Sequence, residues 1–199
     1  MMQRQFTNNI QVLAYQIEKI GNISCGDSFY MLASDEYFVC TIADGLGSGE
    51  GAKDSSATVC EVVKKYQKED IETIFNYCNQ AMKNKRGATV SVLKVDFQRK
   101  LFTYSSVGNI RFVLYTPSGQ YIYPIPVVGY LSGKKQKYRI QTFQYESGSK
   151  FIIYSDGLLA PTMKSLLKYC NTIDDIFRQL QVYVPLRKDD LTYIVGELC

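Results

Sequence analysis

Residues 88–107 read ATVSVLKVDFQRKLFTYSSV. Ala88–Val95 and Leu101–Val107 are rich in β-branched and aromatic side chains, and a short charged turn separates them. That is the pattern of a β-hairpin. It recurs downstream, where Asn109–Thr116 and Tyr121–Pro124 flank Pro117-Ser118-Gly119, and Arg139–Tyr145 and Lys150–Ser155 flank a Ser/Gly turn. Upstream, residues 9–17 and 28–32 read as extended, and the apolar run Tyr37–Ala43 stops at Asp44. Helices are expected from about Gly51 to Gln67 and through Ile71, Ile74, Phe75, Cys78 and Met82, which repeat at helical spacing. Thr172-Ile173-Asp174-Asp175 resembles a capping box ahead of a further apolar face, and Leu191–Glu197 reads as a last strand. Many antiparallel strands with helices grouped in blocks predict an α+β layered sandwich rather than a doubly wound parallel sheet. No linker, repeat or charge block divides the chain, so residues 1–199 are expected to form one domain.

Composition removes much of the catalytic repertoire. The chain has no histidine, which excludes Ser-His and Cys-His nucleophile pairs, imidazole acid–base chemistry and His-ligated zinc. The six cysteines form no CxxC pair, so a thiolate metal site is not expected. A net charge of +4 is too mild for a nucleic-acid footprint. The clusters Lys83-Asn84-Lys85-Arg86 and Lys134-Lys135-Gln136-Lys137 read as solvated loop charge able to steer an acidic protein partner. The N-terminal residues carry no apolar signal core, and no run has transmembrane length. The expectation is a reduced, cytoplasmic protein with neither a membrane nor a nucleic-acid partner.

What remains is oxygen chemistry. Asp27, Asp44, Asp156 and the pair Asp189-Asp190 each lie at the end of an apolar strand. A single Asp-Gly is an ordinary turn. Four acidic strand ends gathered on one rim would repel one another unless divalent cations held them together, and magnesium and manganese need only oxygen ligands. Gly45, Gly47, Gly49 and Gly51 precede a helix, but their spacing fits neither the Walker pattern nor the dinucleotide fingerprint.

The motifs GDSF at 26–29, ADGLGSG at 43–49, RGAT at 86–89, VGN at 107–109, SDG at 155–157 and DDLT at 189–192 follow one another in register. In that order they resemble the protein phosphatase 2C-like superfamily, and most closely its bacterial SpoIIE-type branch. The resemblance implies a four-layer α-β-β-α sandwich with two manganese or magnesium ions at one rim. By motif, it implies that Asp44 bridges the ions, with the Gly45 carbonyl completing one shell. Asp156 and Asp189 would hold the other ion, and Asp27 would hold a metal directly or through water. Asp44, Asp156 and Asp189 would thus act in catalysis through metal-activated water that attacks phosphorus directly. Asp190, Asn109 and Thr89 would stand behind the ligands, and Gly87 and Gly108 would be architectural.

The implied activity is that of a phosphoserine/phosphothreonine protein phosphatase. The implied substrates are phosphorylated STAS-domain proteins of the stressosome (RsbS and RsbR), giving negative feedback on the sigma-B general stress response. The alternative is a catalytically weak pseudophosphatase that binds phosphoproteins; retention of all the aspartates favours catalysis. Two departures from the family pattern stand out. Gly26 occupies the place of a metal-binding glutamate in many eukaryotic members, and no histidine can protonate the leaving group. No arginine is assigned to phosphate; Arg86 and Arg111 read as surface or structural residues.

Overall fold

Alternation in burial along the strands builds the architecture. The computed structural model describes residues 1–159 and 163–199. Among these, one sheet has the order β1(Met2–Phe6)-β2(Ile10–Ile17)-β11(Leu191–Leu198)-β10(Ser149–Tyr154)-β7(Arg111–Tyr115)-β8(Tyr121–Ile122). The second has the order β3(Asp27–Ala33)-β4(Tyr37–Gly45)-β5(Ala88–Asp96)-β6(Leu101–Val107)-β9(Gln141–Gln144). Every pairing between these strands is antiparallel.

Alternate residues of each strand face opposite sides, and here both sides are apolar. Phe38, Cys40, Ile42, Leu93, Phe151 and Ile153 fill the space between the sheets. Phe38 lies 6.1 Å from Phe151, centroid to centroid. Truncating such a ring to alanine costs about 3–5 kcal/mol. The intervening residues Val39, Ala43, Val90 and Val92 face α1(Glu50–Lys65) and α2(Ile71–Ala81). On the other sheet, Ile152, Tyr193 and Val195 face α3(Met163–Tyr169) and α4(Ile173–Gln181). The result is the four-layer α-β-β-α sandwich.

Local chemistry sets the helix starts. Asp70 accepts from the Thr73 amide at 2.9 Å ahead of α2. Thr172 and Asp175 form the expected reciprocal box ahead of α4. α1 has no side-chain cap; it starts at Gly49, whose φ is 72°.

One expected hairpin is wrong. Gln141–Gln144 pairs with β6, whereas Ser149–Tyr154 lies between β7 and β11 in the other sheet. The Glu146–Gly148 turn carries the chain from sheet to sheet, and Phe143 stacks on Phe102 at 5.2 Å on the first. Two elements escaped the periodicity. β1 is almost wholly exposed, and α3 is only seven residues long.

Candidate active site

The inter-sheet core ends in a polar cap at one rim. Along β4, Phe38, Cys40 and Ile42 point between the sheets, so Asp44 does too. Asp27 lies directly opposite Asp44 in the β3–β4 register, and Thr89 lies opposite it on β5. Asp27, Asp44 and Thr89 therefore form one row across three strands. The facing sheet behaves likewise: two residues beyond Ile153 comes Ser155, and two before Ile194 comes Thr192. Antiparallel pairing of β10 with β11 brings the ends at Asp156 and Asp189-Asp190 to this same rim, and the Ser155 amide donates to the Thr192 carbonyl at 2.9 Å.

Hydrogen bonds stitch the two halves together. The Ser155 hydroxyl donates to Asp27 Oδ2 at 2.7 Å and accepts from the Thr192 amide at 2.9 Å. Gln16 Nε2 donates to the Asp27 carbonyl at 2.8 Å. Asp190 is a clamp: its Oδ1 accepts from the Lys19 amide and its Oδ2 from the Gly26 amide, each at 2.8 Å. It thereby ties the 18–26 crossover to the start of β11. Asn109 Nδ2 donates to Asp156 Oδ2 at 2.6 Å. Asp189 is the outlying member, with its side chain 58% exposed and 3.9 Å from the Lys19 ammonium.

Electrostatics mark the row. Burial first, opposed by the Ser155 and Thr192 hydrogen bonds, raises the Asp27 carboxyl to about 7. Burial and then the charges of Asp27, Asp156, Asp189 and Asp190 raise Asp44 to about 8. Asp156 is also raised, by burial and by Asp189, while Asn109 and the Arg111 charge oppose the shift. Like charges directly opposite on paired strands are destabilising.

Two close approaches explain glycines in the motifs. A Cβ on Gly45 would lie 1.9 Å from the Ala52 carbonyl oxygen, so only glycine lets α1 settle on the end of β4. A Cβ on Gly26 would lie 2.8 Å from Asp190 Oδ2 and 3.2 Å from the Ala52 Cβ. The structure thus has no room for a glutamate at position 26 without moving the Asp190 clamp.

With this geometry in view, comparison with known proteins is decisive. The family described as Stage II sporulation protein E (SpoIIE) matches residues 34–196. The chain belongs to the SpoIIE family. It is 53% identical over 198 residues to the phosphoserine phosphatase RsbX of Bacillus subtilis (strain 168), covering 100% of both chains. The crystal structure of RsbX in complex with magnesium superposes with a TM-score of 0.97 at 53% identity, again over 100% of both chains. The PP2C phosphatase domain of SpoIIE from Bacillus subtilis has the same fold, with a TM-score of 0.76 at 15% identity over 98% of this chain and 64% of that one.

The SpoIIE-family rim suits hard divalent cations by its donor chemistry. Its carboxylates repel one another, three of them hold raised pKa values through burial and mutual charge, and the Thr89 hydroxyl is buried without a hydrogen-bond partner. Asp27, Asp44, Asp156, Asp189 and the Gly45 carbonyl are the oxygens available to such ions. Among the described residues, however, no three of the His, Cys, Asp and Glu side chains already stand in metal-binding geometry. The reason is visible: Ser155 holds Asp27, Asn109 holds Asp156, backbone amides hold Asp190, and Asp189 turns outward.

Sequence reasoning assigned Asp190, Asn109 and Thr89 to supporting positions, and each lies at the rim. Ser155, Gln16 and Thr192 lie outside the expected set, since nothing in their local sequence sets them apart from water-facing residues. Arg86 donates to the Ser48 carbonyl at 2.8 Å, flat against the glycine-rich turn. Arg111 opens β7 as an exposed residue whose charge acts on Asp156. No helix among the described residues is long and apolar enough to cross a membrane.

Proposed function

We propose that residues 1–199 act as one metal-dependent phosphatase domain that hydrolyses phosphoserine and phosphothreonine esters in proteins. One observation carries the reading: a histidine-free rim gathers Asp27, Asp44, Asp156, Asp189 and Asp190 from two sheets, and their charges act on one another. Asp27, Asp44, Asp156, Asp189 and the Gly45 carbonyl would hold two divalent cations, manganese or magnesium, which when bound would supply Lewis-acid neutralisation of the phosphoryl oxygens and a lowered pKa for water.

The chain's own groups divide the remaining work. Asp44, at the centre of the row, faces the space between the sheets and carries the charge that offsets cations. Asp27 is the buried end of the row and is kept in place by Ser155. Asn109 fixes the orientation of Asp156, as a partner behind a ligand does. Asp190 spends both oxygens on backbone amides and so serves as scaffold. With no histidine in the chain, bound water or a solvent proton serves the leaving alkoxide.

Full-length 53% identity to RsbX supports phosphorylated STAS-domain proteins of the stressosome (RsbS and RsbR) as the substrates, with feedback on the general stress response as the role. The test is a manganese titration of the metal-stripped protein against p-nitrophenyl phosphate and against a phosphorylated STAS-domain protein. Chelator is expected to abolish turnover of both, and added manganese to restore it. Full turnover in metal-stripped protein would overturn the mechanism. Stoichiometric binding of the phosphoprotein without turnover at any metal concentration would favour the pseudophosphatase reading.

A further inference from the structure

Two basic runs, some fifty residues apart in sequence, become one surface beside the acidic rim. Asn79 at the end of α2 is the pin. Its Oδ1 accepts from the Ser132 and Gly133 amides at 3.2 and 3.0 Å, and its Nδ2 donates to the Lys134 carbonyl at 2.6 Å. A Cβ on Gly133 would lie 2.6 Å from Lys83 Cγ, so the 132–137 segment lies directly against Lys83. Lys83, Arg86, Lys134, Lys135 and Lys137 are all exposed. Among the described residues none of the five has an acidic partner, whereas Lys85 is paired with Asp54 at 2.6 Å.

The loop that carries the second run is anchored through its backbone to the strand beside the site. Leu131 exchanges backbone hydrogen bonds with Ala88 at 2.8 and 3.1 Å, and Ala88 is paired with Gly45, next to Asp44. The loop is also braced before any partner arrives. Val127 bonds to Ser106 and Gly108, Gln136 to the Val128 carbonyl, and Gln141 twice to Ile125. Its outer edge exposes Val128 at 92% and Tyr130 at 48%. A preformed loop incurs little ordering cost on binding.

We infer that this face docks an acidic protein surface flanking the phosphorylated residue, which rests on the phosphatase reading of the rim. Charge complementarity selects the occupant: five uncompensated cations beside a cluster of aspartates suit a partner whose phosphate meets the rim while its carboxylates meet the lysines. The exposed valine and tyrosine supply apolar contact of the kind found in protein interfaces.

The test uses two phosphoserine peptides of equal length, flanked by glutamates or by lysines, and the triple variant K134E/K135E/K137E with metal present. Binding is read by fluorescence anisotropy, which needs no turnover, and by kcat/KM. Wild type is expected to prefer the glutamate-flanked peptide by about tenfold at low salt, with the preference shrinking as salt rises. The triple variant is expected to lose or reverse that preference, through KM rather than kcat. An equal preference in variant and wild type, or none in wild type, overturns the docking face. So does tighter binding of a single-stranded oligonucleotide than of the acidic peptide, lost in the same variant. p-Nitrophenyl phosphate hydrolysis reads the rim by itself: its absence in wild type with manganese refutes the phosphatase reading, and anisotropy still decides whether the basic face selects acidic peptides.

Discussion

Asp44→Asn separates a charge role from a shape role, because the amide keeps the outline of the side chain and removes its charge. In the metal-free protein the Asp44 carboxyl is raised from 3.8 to about 8, by burial and then by four neighbouring carboxylates. A raised acid binds its proton more tightly in the folded state, so its contribution to stability is full below the unfolded value. That contribution is lost as pH climbs through the folded value. Between the ordinary value and neutral pH the gap is roughly three units, or ~4 kcal/mol. Part of Asp44 still meets solvent and the amide bears its own burial cost, so ~2 kcal/mol is expected to separate the variant from wild type at pH 7. For a chain of this length that corresponds to about 4–8 °C in melting temperature. With chelator present, the variant is expected to melt higher than wild type, with a gap that is small near pH 4 and widens towards pH 8. Asp27, also raised, stays in the variant, so its own melting temperature still falls across that window. Manganese is expected to restore less stability to the variant, since weaker binding stabilises less. Turnover of p-nitrophenyl phosphate is expected to drop at least about a thousandfold, or ~4 kcal/mol of barrier. Melting scans across pH, with chelator or manganese, and kinetics on the same preparation give all three readings. A gap that does not change with pH, a variant that melts below wild type at pH 8, or near-normal turnover would refute the reasoning.

Asn109→Ala removes the amide that holds Asp156 and is expected to lower kcat about ten- to a hundredfold with little change in melting temperature; ester turnover within twofold of wild type would deny Asn109 that role. Gly26→Ala forces a methyl against Asp190 Oδ2 and is expected to cost about 1–3 kcal/mol in urea unfolding by displacing the clamp, and an unchanged midpoint would show that the crossover tolerates it. Burial raises the Cys78 thiol to about 12 and pushes Cys40 and Cys60 well up, so iodoacetamide at neutral pH is expected to spare these three and modify exposed Cys199. Mass spectrometry locates the label, and a loss of activity beyond about tenfold, ~1.4 kcal/mol, would point to a thiol mechanism.

The fold was legible wherever a strand has two unlike neighbours. Val90, Val92 and Ala88 face helices while Leu93 and Val95 face the other sheet, which fills Ala88–Val107 with the apolar, β-branched residues that, around a charged turn, read as a hairpin. It was not legible where pairing is decided by distant chain: Gln141–Gln144 and Ser149–Tyr154 look like one hairpin, yet the first pairs with β6, with Phe143 over Phe102, and the second with β7 and β11. β1 gave no signal, because an edge strand packed on one neighbour needs no buried face. At the site, the aspartates were visible as strand ends. Ser155, Gln16 and Thr192 were not, because a serine or glutamine pointing into an inter-sheet gap has the same local sequence as one pointing to water. The docked state of the two lysine runs was likewise hidden, since it depends on Asn79 reaching across more than fifty residues of chain.

The carboxylates belong to two sheets, and the side chains stacked between those sheets, together with the Ser155 and Gln16 hydrogen bonds to Asp27, set how far apart the two groups stand. Phe38 against Phe151, and Phe102 and Tyr104 against Phe112, are therefore the gauge of the site as well as its foundation. A smaller ring there narrows the jaw, and a larger one opens it. Rates can then be retuned from deep in the apolar interior, well away from any atom that meets phosphate.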